Sequence, residues 1–234
     1  ETITGNAAAD AVTLATAITA GTVNLAAGTD SLTLGNFTNT ATVSNTETIT
    51  GGTGADTITL GAAITAGTID LGAGTDTLVL GNFANSVTVS NVETLTANGG
   101  ADAITLATTL TGMTINLGTG ADSLVLGNFT NTSTVSNVET ITGNAGADTI
   151  TLAAGISGGV INLAGGTDAL ILANGTNTVT LSNTETLTGG TGLDAITLAT
   201  TLTGMTLDLG AGSDSLVLAN VANTGTVSNV EIID

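Results

Sequence analysis

The chain of 234 residues contains no Lys, Arg or His, and no Cys, Pro, Trp, Tyr or Gln. Each absence closes a door. Without Cys there are no disulfides, and without Cys or His there are no thiolate or imidazole metal sites. Without Lys or Arg nothing neutralises phosphate, so nucleic acid is excluded as a partner and anionic membrane surfaces are disfavoured. No apolar run approaches the roughly 18 residues that span a bilayer, so membrane insertion is not expected. What remains is twelve residue types, 41% of them apolar, and 19 acids that set the formal charge at −19. That apolar share argues for a folded chain despite its charge, and so narrow an alphabet argues for a repeat protein.

The repeat is strict. Glu1, Glu47, Glu93, Glu139, Glu185 and Glu231 each open a copy, which places repeats at 1–46, 47–92, 93–138, 139–184 and 185–230, with 231–234 beginning another. Within them lies a finer frame centred on Asp10, Asp30, Asp56, Asp76, Asp102, Asp122, Asp148, Asp168, Asp194 and Asp214, spaced alternately by 20 and 26 residues. Each aspartate follows a turn rich in glycine and precedes an apolar residue at +2 and always a Leu at +4. Apolar and small polar residues alternate with period two around these turns, the mark of strands with one buried face. The expected fold is all-β: a parallel β-solenoid of about ten coils averaging 23 residues, arrayed as one domain over 1–234. The rival arrangement is one 46-residue coil per repeat. The first residue already lies inside a repeat, which points to a processed or excised piece of something longer, or to a subunit that stacks on copies of itself.

With one frame per coil, the ten aspartates would form a single column about 4.8 Å apart. Neighbouring unit charges at that separation repel by about 0.9 kcal/mol in water and by several-fold more near a protein. No basic side chain relieves this, which leaves protonation or a bound cation. Carboxylates beside exposed turn carbonyls are the ligands Ca²⁺ prefers. The alternative is that each aspartate caps its turn by accepting a backbone N–H.

"GGTGADTIT" at 51–59 and "GGTGLDAIT" at 189–197 resemble the nonapeptide of RTX (haemolysin-type) calcium-binding proteins, and "GNAGADTIT" at 143–151 is similar with Asn144 for a glycine. Looser turns with "NVETL" or "NVETI" between them resemble repeats of bacterial S-layer proteins and large secreted adhesins. The resemblance implies Ca²⁺ held by the ten frame aspartates, export by type I secretion, and an extracellular or cell-surface location in bacteria. It departs in spacing, because RTX nonapeptides follow one another directly. Ala8, Ala26 and Ala164 also replace turn glycines.

The expected function is a non-catalytic, calcium-stabilised structural segment of a surface layer, filament or adhesin stalk, partnered by calcium and by itself through end-to-end stacking or covalent continuation. Alternatives are a solenoid without metal, or one that binds ice or carbohydrate through Thr-x-Thr pairs such as Thr57 and Thr59, a row that Val79, Val125 and Val217 interrupt. Every acid but Asp234 lies in register, which leaves no singular catalytic group. The glutamates, after an invariant Ser-Asn, mark solvated corners or a second ion site. Phe37, Phe83 and Phe129 share a register and read as a packing patch. Asn36, Asn128, Asn131 and Asn174 begin glycosylation sequons.

Overall fold

The computed structural model describes all 234 residues, as strands and turns without a helix, and hence without any helix long and apolar enough to cross a membrane. The first strands are β1 (Thr2–Thr4), β2 (Ala11–Thr13), β3 (Gly21–Asn24), β4 (Ser31–Thr33), β5 (Thr40–Ser44), β6 (Thr48–Gly52) and β7 (Thr57–Leu60). Every strand pairs in parallel with the one two places on: β1 with β3, β3 with β5 and β5 with β7 on one sheet, β2 with β4 and β4 with β6 on the other. A coil is therefore two strands and two edges. The fold is a parallel β-solenoid, as the period-two pattern predicts.

The chain forms two compact units, one of residues 1–108 with 113–122 and the other of residues 109–112 with 123–234. In both, the small β-branched and aliphatic side chains at alternate strand positions turn inward. Val23, Leu25, Leu32, Ile49, Ile58, Ile69, Leu71 and Leu78 are fully buried in the first unit, and Ile141, Ile150, Ile161, Leu170 and Leu216 in the second. Threonines between them face out. Parallel pairing in register stacks like on like: Ile3 on Val23 on Val43, and Val12 on Leu32 on Ile49.

The coils are shorter than the sequence frame suggests. Ile3 and Leu95 lie two repeats apart in sequence, yet their strands are five places apart in one sheet of the first unit. One 46-residue repeat thus spans two and a half coils, not two and not one, and there are about twelve coils rather than ten. The half coil exchanges sheets. Ile3 lies on the sheet of odd-numbered strands, and its counterpart Ile49, on β6, lies on the other.

A buried acid ladder as candidate functional site

Because successive repeats exchange sheets, the frame aspartates do not form one column. In the first unit, Asp10 and Asp30 sit on the edge leading from the odd strands to the even ones, with Asp102 and Asp122 further along it; Asp56 and Asp76 sit on the opposite edge. In the second unit, Asp148 and Asp168 occupy one edge and Asp194 and Asp214 the other. The expected single column is corrected to two, each with acids in short runs.

The runs have a fixed order: an aliphatic residue, Asn, Asp, Asp, Glu, one per coil. Each side chain accepts a hydrogen bond from the backbone amide of the rung before it. Thus Ile18 N–H donates to Asn39 Oδ1 (3.2 Å), Asn39 N–H to Asp56 Oδ1 (2.9 Å), Asp56 N–H to Asp76 Oδ1 (2.7 Å) and Asp76 N–H to Glu93 Oε2 (2.7 Å). The second unit repeats it through Leu110, Asn131, Asp148, Asp168 and Glu185 at 3.1, 3.1, 2.8 and 2.7 Å. The opposite edge runs Ile156, Asn177, Asp194, Asp214, Glu231. Asn39 Nδ2 adds a bond to Asp56 Oδ1 (2.8 Å) and another to Phe37 O (2.7 Å), so the amide rung ties its own loop to the next coil. At an edge the strands diverge and leave an amide without a ladder partner, and a buried unpaired amide costs roughly 1–3 kcal/mol. The rung side chains remove that cost.

The frame aspartates are therefore caps, but of the preceding coil rather than of their own turn. Asp10 alone takes its own turn's amide, from Asn6, at 2.9 Å. Asp30, Asp56, Asp76, Asp148, Asp168, Asp194 and Asp214 are at most 1% exposed, and in each the second carboxyl oxygen is sealed from solvent with no hydrogen-bond partner. Burial pushes the Asp76 carboxyl up to about 6, against the bond from the Asp56 amide, and the charges of Asp56 and Glu93 add to the rise. Burial also raises Asp168, with Glu185 and Asp148 contributing, and raises Asp102 and Asp148 against the hydrogen bonds of Asn85 and Asn131.

The geometry lends Ca²⁺ little support here: the ion takes six to eight oxygens, and nowhere do three acids converge closely enough to supply the charged share of such a set. One oxygen of each buried aspartate is already committed to an amide. Turn carbonyls are committed too: Asn6, Gly52, Asn144 and Gly190 each accept the amide of the turn on the next coil. The same rung is filled elsewhere by Ile18, Ile64, Leu110, Ile156 and Leu202, which places it in a hydrocarbon environment.

Other expectations shift with the coil count. The glutamates are not simply solvated corners, since Glu47, Glu93, Glu185 and Glu231 each end a run by accepting an aspartate amide at 2.7 Å. The invariant Asn before them sits at φ 50–54° in the left-handed region that Asn tolerates (Asn45, Asn91, Asn137, Asn183, Asn229). From there Asn45, Asn91, Asn183 and Asn229 reach Asn24, Asp70, Asn162 and Asp208 on the neighbouring coil, an outer ladder of amides and acids. Phe37 and Phe83 lie on opposite edges and form no common patch; with Phe129 they are 40–45% exposed. Asn131 is a fully buried rung, which removes its sequon from consideration, while Asn36, Asn128 and Asn174 are exposed. Sequence reasoning missed the Asn39, Asn85, Asn131, Asn177 and Asn223 rungs, although their unbroken 46-residue recurrence was the signal.

Comparison with protein-family models, with characterised proteins and with solved structures finds no match for the chain. The RTX resemblance rests on the turn motifs alone.

Proposed function

We propose that the chain is a non-catalytic structural solenoid, a segment of a surface layer, filament or adhesin stalk. The observation that carries this reading is the use made of polar side chains. Rung after rung, the buried acids and amides are spent on joining one coil to the next. The extracellular, secreted setting follows the resemblance of the turns to RTX repeats. The scaffold reading does not require calcium at the aspartates, whose carboxyls are engaged between coils.

Electron microscopy and sedimentation of concentrated protein test the assembly. Thin unbranched particles of uniform width, lengthening with concentration, are expected from self-stacking or from a chain carrying more repeats. A 234-residue chain that stays monomeric at every concentration, together with a longer natural chain whose added repeats form separate bodies, would defeat it.

One observation favours a second reading. Thr40, Thr57, Thr77, Thr94 and Thr114 stack in register as one uninterrupted outward row. Val79, which interrupts the pattern in sequence, falls in the neighbouring row with Thr59 and Thr96. A regular hydroxyl array of this kind suits an ordered water or sugar surface, and thermal hysteresis decides for or against ice.

A further inference from the structure

The acid runs raise a question that the scaffold reading leaves open: what occupies the second oxygen of each buried aspartate. We infer that Asp76 and Asp168 hold a proton in mildly acidic solution, so that their two acid runs are proton-binding sites and the solenoid is locked there by acid rather than by calcium.

Three independent features point there. First, the second oxygens of Asp56, Asp76, Asp148 and Asp168 are buried and unpartnered. A proton on Asp76 or Asp168 removes the charge from a carboxyl whose second oxygen no donor reaches, and a neutral group is far cheaper to keep dry than an ionised one. Second, the charged groups facing Asp76 are Asp56 on one side and Glu93 on the other, and those facing Asp168 are Asp148 and Glu185. All are acids, and the chain has no Lys, Arg or His to oppose them. Three ionised carboxyls on consecutive coils are the least favourable state of such a run, and one proton on the middle rung separates the outer two. Third, the rung accepts neutral occupants as equals: Asn39 and Asn131 make the same amide contact, and Ile18 and Leu110 fill the position with hydrocarbon. A neutral carboxylic acid belongs to that set, whereas a divalent ion does not.

The consequence has a definite sign. A carboxyl that holds its proton more tightly folded than unfolded stabilises the fold fully below its unfolded value near 3.8. That contribution is lost as pH rises through its folded value, about 6 for Asp76. Folding between those values takes up protons.

The test is thermal unfolding of the 234-residue chain between pH 4.5 and 7.5, in EDTA and in millimolar CaCl₂, for the native sequence, for the Asp76→Asn/Asp168→Asn pair, and for Asp208→Asn as an exposed control. The native melting temperature should fall by several degrees across this range, equally with and without calcium. The ladder pair, which places a neutral donor and acceptor on the rung, should flatten the fall and melt higher at pH 7.5; the control should keep the native slope. Stability that rises with pH, an unchanged slope in the ladder pair, or stabilisation by calcium alone overturns the inference. Should the pair fail to fold, proton uptake by the native chain on refolding at pH 5.5 decides: net uptake supports the inference, and none refutes it.

Discussion

Asp70 and Asp76 stand six residues apart and live in opposite media. Asp76 is sealed in an edge of the solenoid, and burial pushes it up to about 6. Asp70 lies in the outer ladder, where its Oδ1 accepts Asn91 Nδ2 at 2.7 Å and the Gly72 amide at 3.1 Å. Its counterpart Asp208 is held below the usual carboxylate range by the Asn229 side chain and then by the Gly210 amide. Asp76 and Asp208 thus respond oppositely because one is desolvated beside other acids and the other meets donors in water. Charge in this chain is tolerable where it is wet and costly where it is dry.

Removing an acid from each region gives the largest contrast. Asp148→Ala leaves the Asn131 amide without its acceptor and deprives Asn131 Nδ2 of one of its own, so denaturant melts should show a loss of about 2–3 kcal/mol. Asp208→Ala should leave the midpoint nearly unchanged. Equal losses would erase the distinction between the ladders.

Next in size is the pH response. Titration of Asp76 lowers stability as pH rises between about 4 and 6, whereas the depressed Asp208 acts below that window, its contribution being complete above its unfolded value and lost as pH falls below it. Circular dichroism melts on either side of about pH 4 separate the two, and a net rise in stability with pH between about 4 and 6 would contradict the sealed-rung account.

Two smaller changes sharpen the same contrast between sealed and open positions. Ser133 is buried with a hydroxyl that finds no partner, where the equivalent residues are Ala41, Val87 and Val179. Ser133→Val should stabilise by about 1 kcal/mol in a urea titration. Ala26 and Ala164 carry a Cβ at φ 74° and 68°, where Gly72, Gly118 and Gly210 hold the same turn at 82–84°. Ala26→Gly relieves left-handed strain against a cost in chain entropy, a net gain of about 0.5 kcal/mol by the same measurement.

Much of this was legible in the residues. Period-two alternation around glycine turns specifies inward and outward faces without ambiguity, and the unpaired acids announce a charge problem from composition alone. Coil length was hidden for a physical reason. Both sheets carry the same pattern of Thr flanking a branched aliphatic, as Thr2-Ile3-Thr4 and Thr48-Ile49-Thr50 show, so nothing local tells a strand which sheet it joins. A repeat of two and a half coils then looks like one of two. The direction of Asp76 was equally hidden, since glycine turns admit an aspartate facing either solvent or the next coil. Only the Asn and aliphatic rungs in register with it reveal an edge that is dry.

The most direct test of the account is the infrared spectrum of the folded chain, labelled with ¹³C-carboxyl aspartate, at pH 5.5. Free aspartates, with an ordinary value near 3.9, are almost wholly ionised there. A protonated-carboxyl band that vanishes when the protein is unfolded at the same pH is the predicted result. A folded spectrum showing only ionised carboxylates would contradict it.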